Sequence, residues 1–110
     1  MSQTNPTDND AARDDVGKLR YDLLPVEWRR FLTEIFTFGA AKYDAWNWTK
    51  GMNYSRMLGS MHRHIAAWEE GEGVDQESGL HHLAHAAWNA LALVYYQEYG
   101  LGKDDRGGAS

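Results

Sequence analysis

Two histidines three residues apart, His82 and His85, can aim at one centre from the same side of a helix. Just upstream, Glu72 and Asp75 stand on a short turn, and Arg63-His64 lies on the segment before it. With Asn89, seven side chains able to hold a metal, a phosphate or a proton fall within residues 63–89. Carboxylate oxygens suit magnesium or manganese, and imidazole tilts the choice towards manganese, iron, cobalt or zinc. Each residue also has a purely structural reading. A histidine on a half-buried helix is commonly a hydrogen-bonded core residue, Asp75 can be an N-cap, and Glu69 and Glu70 are solvated charge at a helix end. Crowding around one turn is what favours chemistry, since no zinc-protease or P-loop motif occurs.

A second group is Lys42-Tyr43-Asp44-Ala45-Trp46-Asn47-Trp48. A lysine supplies charge to phosphate, an asparagine can read a base edge, and aromatic rings can stack on a base. The structural alternative is that Trp46 and Trp48 plug the core.

These residues need helices to position them. Pro25 suits a first helical turn, and Trp28, Phe31, Leu32, Ile35 and Phe38 recur at helical spacing, which predicts a helix over 25–43. A loop over 44–53 follows. Asn53 or Ser55 can cap a second helix with the stripe Met57, Leu58, Met61, Ile65 and Trp68, stopped by Gly71 and Gly73. Asp75 or Ser78 then caps a third helix running to about residue 98, with Gly100 behind it. Its expected core stripe is Leu80, Leu83, Ala84, Ala87, Trp88, Leu91 and Tyr95. From Ser78 to Gln97 there is no charged residue, and Ser78, His82, His85, Asn89, Leu93 and Tyr96 share the opposite sector. Three histidines and an asparagine make that segment an implausible membrane span, so the expectation is a helix buried nearly all round. Without strand-like alternation, the fold class is all-α: a small bundle of three main helices with an extended lead-in before residue 25.

The chain of 110 residues allows one domain with a thin margin of stability, which oligomerisation would widen. Residues 1–15 and 100–110 are polar and are expected as a flexible arm and tail around a domain over 16–99. A net charge of −5 gives no electrostatic footprint for nucleic acid, and an acidic protein handling phosphates calls for a divalent cation. The absence of cysteine excludes thiolate metal sites and a Cys nucleophile. The N-terminus lacks the basic start and apolar run of a signal peptide.

The sequence resembles the phage-associated dATP/dGTP diphosphohydrolase N-terminal domain family. The likeness spans roughly 15–96. It rests on Gly17-Lys18 with Leu24-Pro25, Phe38-Gly39-Ala40-Ala41-Lys42-Tyr43, Asn47-Trp48, Arg63-His64, Gly71-Glu72, Asp75, Glu77-Ser78-Gly79, His82-Leu83-Ala84-His85 and Asn89. The resemblance implies hydrolysis of dGTP or dATP to the monophosphate and pyrophosphate, with magnesium, manganese or another divalent metal, in a cytoplasmic homo-oligomer. MazG-type pyrophosphohydrolases, which have similar activity, place ExxE on one helix and ExxD on a later one. Glu69-Glu70-Gly71-Glu72 satisfies the first, and His82-Leu83-Ala84-His85 stands where the second belongs. On this basis His64, Glu72, Asp75 and His82 are expected to hold metal, and Glu72 or His85 to act as base. Lys42 and Arg63 are expected on phosphate, and Tyr43, Asn47, Trp48 and Asn89 on the nucleoside. The rival expectations are an HD-like triphosphohydrolase and a non-enzymatic helical interaction module.

Overall fold

The computed structural model describes residues 11–107, so most of the expected N-terminal arm lies outside the described residues. Three helices carry the fold: α1 (Val26–Lys42), α2 (Tyr54–Glu69) and α3 (His82–Tyr99). The all-α expectation holds, with short 3-10 turns at Tyr21–Leu23 and Asn47–Lys50 as the remaining regular elements among the described residues. No described helix is long and apolar enough to cross a membrane.

α1 begins just behind Pro25, whose fixed φ of −60° leads into the helix. α2 and α3 form the principal pair, and α1 packs on α3. The core between α2 and α3 is Tyr54, Met57, Ala92 and the fully buried Tyr96. Trp48 enters this core from the loop: its ring lies 6.4 Å from Tyr96 in a near-parallel stack, and the Tyr96 hydroxyl donates to the Trp48 carbonyl.

Three expectations need correction. The third helix starts at His82, not at Asp75 or Ser78. Gly79 takes φ +72°, which no helix accommodates, and residues 74–81 fold back as a tight loop with Asp75 N–H on the Leu80 carbonyl and Gly79 N–H on Asp75. Nor is α3 buried nearly all round. His82, His85, Ala86, Asn89, Ala92 and Tyr96 point inwards, whereas Leu83, Ala87 and Leu91 of the expected core stripe are exposed. Finally, residues 101–105 are not a loose tail. Lys103 pairs with Asn53, Tyr54 N–H donates to the Lys103 carbonyl, and Asp105 accepts from Ser55 N–H. The C-terminal segment thereby caps α2, a role expected for Asn53 or Ser55 themselves. A Cβ at Gly102 would stand 2.3 Å from the Met52 carbonyl oxygen, so this crossing admits only glycine.

Candidate metal centre and substrate cleft

His64 comes from the middle of α2, Asp75 from the tight loop, and His82 from the first residue of α3. Those origins bring one ligand atom of each within 4.8 Å of one another. The Nδ1 atoms of His64 and His82 lie 2.9 Å apart. Two imidazole nitrogens at that distance need something between them, either a shared proton or a cation.

Glu72 bears on which. Its Oε1 accepts from His82 Nε2 at 2.6 Å. With that proton on Nε2, a neutral His82 ring keeps its lone pair on Nδ1, facing His64. A carboxylate that fixes a histidine tautomer in this way is a recurrent device of metal centres. Glu72 was expected as a ligand beside His82; the structure instead places it behind the His82 ring, on the far nitrogen from the cluster.

Burial disfavours the charged form of two neighbouring histidines, His64 and His85. Desolvation pushes His64 below its ordinary value of 6.5, helped by the neighbouring His85 and His82 and opposed by Asp75. Desolvation likewise lowers His85, with Asp75 opposing. For Asp75, burial alone would raise the carboxyl, but hydrogen bonding from Ser78, whose N–H reaches Oδ2 at 2.9 Å, outweighs it and holds the group below 3.8. Neutral imidazoles and an ionised carboxylate are the protonation states a divalent cation requires. Two nitrogens and one oxygen fit manganese, iron, cobalt or zinc better than magnesium.

His85 stands one helical turn along α3. Its ring stacks on His64 with centroids 4.4 Å apart and planes 5° from parallel. Its Nε2 lies 2.7 Å from the Ser78 hydroxyl and 3.9 Å from Asp75 Oδ2. Asn89, 4% exposed, donates to the His85 carbonyl at 2.9 Å and to Ser60 on α2 at 3.2 Å, tying the two helices beneath the cluster. Ser78 was assigned only a capping or face position from the sequence; its place in the Glu77-Ser78-Gly79 motif was the available signal.

A cleft of about 740 Å³ opens beside this cluster, with His64, Asp75, His85 and Asn89 in its wall. Lys42, Tyr43, Asn47, Trp48 and Arg63 also line it, so with Asn89 all six expected substrate residues share one cavity. His82 and Glu72 do not line it. Lys42 is engaged: its ammonium is 2.7 Å from Glu77. Trp48 packs into the core against Trp88, Tyr95 and Tyr96 and also lines the cleft. The indole nitrogens of Trp48 and Trp88 are buried with no acceptor among the described residues, a condition that costs about 1–3 kcal/mol each.

A family model described as dATP/dGTP diphosphohydrolase, N-terminal, matches residues 8–106. A dATP/dGTP diphosphohydrolase of Salmonella phage PMBT28 is 30% identical over 92 residues, which cover 84% of this chain and 31% of that protein. The chain thus spans about a third of the length of the curated relative it matches. No solved structure matches.

Proposed function

The chain belongs to the dATP/dGTP diphosphohydrolase N-terminal family, and from that premise we propose that it carries a metal-dependent site hydrolysing dGTP or dATP to the monophosphate and pyrophosphate. The observation that supports this most is the convergence of His64, Asp75 and His82 beside a nucleotide-sized cleft. His64, Asp75 and His82 hold the ion in this reading, with Glu72 orienting His82. A divalent cation there would neutralise phosphate charge and acidify water.

The chain's own residues supply the rest. His85, held neutral and facing the cleft, accepts the proton of the attacking water, and Ser78 and Asp75 orient its Nε2. Water adds to phosphorus as the bond to the leaving pyrophosphate breaks. Arg63 binds phosphate oxygens, and Lys42 joins it by exchanging Glu77 for substrate. Tyr43, Asn47, Trp48 and Asn89 form the nucleoside end.

The proposed partner of the molecule is a second copy. The outer face of α3 exposes Leu83 (43%), Leu91 (52%) and Val94 (55%). It belongs to the charge-free segment 78–97, so two copies can meet on it without like-charge repulsion despite the net charge of −5. The chain's own buried core is small, which adds to the case for assembly.

Incubation with dGTP, dATP and manganese, followed by chromatography, tests the reaction. Monophosphate and pyrophosphate are expected. Deoxynucleoside with intact triphosphate replaces this reading with the HD-like one, and no turnover with any divalent metal overturns both.

A further inference from the structure

The cleft carries two cations, Arg56 and Lys50, that the reaction above does not use. α2 presents Arg56, Gly59, Ser60, Arg63 and His64 to the cleft, at the i, i+3, i+4, i+7 and i+8 positions of one helical face. Lys50, from the turn before α2, lines the same cavity. Arg56, Arg63 and Lys50 form no ion pair among the described residues, whereas Lys42 across the cleft is tied to Glu77.

Gly59 explains how the two arginines share a wall. A Cβ at Gly59 would come within 3.2 Å of Arg63 Nη1. The Arg63 side chain therefore lies back along the helix over the bare glycine, in the direction of Arg56. Seven residues of helix separate the two Cα atoms by about 10 Å of axis, and this backward lean carries the Arg63 guanidinium part of that way. In an acidic protein, unpaired guanidinium groups along one cavity wall are suited to an extended polyanion, because each can grip phosphate oxygens through two N–H groups.

We infer that the Arg56–Gly59–Arg63 face of α2, with Lys50, is a polyphosphate track whose far end holds the departing pyrophosphate. The assignment rests on the hydrolase reading above. Arg63 adjoins His64 in sequence and takes the phosphoryl group nearest the metal cluster. Arg56, two turns away, takes the distal phosphates. The nucleotide is thereby oriented with its reacting phosphorus at the cluster and its leaving group along α2. Gly59 matters because a Cβ there would press on Arg63 Nη1 at 3.2 Å, so the bare glycine leaves the guanidinium room to lie along the helix.

Calorimetric titration with inorganic pyrophosphate in EDTA, on the full chain and on Arg56→Gln, tests the track without relying on turnover. Arg29→Gln is the control, since Arg29 lines a separate groove on α1. The intact chain is expected to bind pyrophosphate, Arg56→Gln to bind it at least about tenfold more weakly, and Arg29→Gln to match the intact chain. For dGTP turnover, Arg56→Gln is expected to raise KM more than it lowers kcat. An intact chain that fails to bind pyrophosphate, equal binding by Arg56→Gln, or equal weakening by Arg29→Gln overturns the track. Binding lost specifically in Arg56→Gln, in a chain that hydrolyses no nucleotide, upholds the track and removes the hydrolase reading instead.

Discussion

The two faces of α3 are the reverse of an ordinary amphipathic helix. The inner face carries His82, His85 and Asn89 next to Ala86, Ala92 and Tyr96, and all six are buried. The outer face carries Leu83, Leu91 and Val94, and all three are exposed. Burying histidine and asparagine is costly unless every polar atom finds a partner. Here the partners are Glu72, His64, Ser78 and Ser60. A helix that faces its core with imidazoles, while leaving leucines to water, is not organised around its own stability alone.

Breaking the inner face has the largest expected effect. His82→Ala removes one ligand and the anchor of Glu72. It is expected to lower dGTP hydrolysis by more than about a hundredfold, beyond the cost of losing an outer partner alone, as read by steady-state rates in manganese. Glu72→Gln sharpens the picture. If Glu72 acts through His82, metal affinity falls about 10–100-fold and one bound ion per chain is still reached at saturation. Abolished stoichiometry would make Glu72 a direct ligand.

The outer face is expected to behave oppositely. Leu91→Lys puts a charge into the apolar patch of each copy and should convert a dimer to a monomer in light scattering, with far less effect on helix content. A monomeric parent chain at micromolar concentration contradicts the self-association.

A smaller effect comes from pH. His64 and His85 are lowered in the folded state relative to their ordinary value of 6.5. Their contribution to stability is therefore complete above about pH 6.5 and is lost as the pH falls below it towards their folded values, because the unfolded chain takes up protons first. The metal-free protein should show a falling urea midpoint from pH 7.5 to 5.5. A flat profile would mean that the inner face is not desolvated as described.

Much of this was legible in the sequence, and the exceptions share a cause. Pro25 and the apolar spacing locate α1, and Gly71 marks the close of α2, because those signals are local. The start of α3 was misplaced because residues 74–81 are held by a loop that closes on itself, with Val74 bridged to His81. The burial of His82, His85 and Asn89 is legible in the charge-free run 78–97, whereas the exposure of Leu83 and Leu91 is not, because periodicity reports where apolar residues lie and not which stripe a neighbouring helix covers. Residues 101–105 looked loose because their partners, 53–55, stand about fifty residues away. At the site, the crowding of His64, Asp75 and His82 could be anticipated, while the placement of Glu72 behind His82, the engagement of Lys42 by Glu77 and the exposure of Arg56 to the cleft depend on tertiary geometry.

Calorimetric titration of the apo chain with manganese measures whether His64, Asp75 and His82 form a metal centre, without reference to substrate. One ion bound per chain is expected, and its loss in both His64→Ala and Asp75→Asn with folding intact by circular dichroism. An apo chain that binds no manganese, cobalt or zinc, or variants that bind as the parent does, would contradict it.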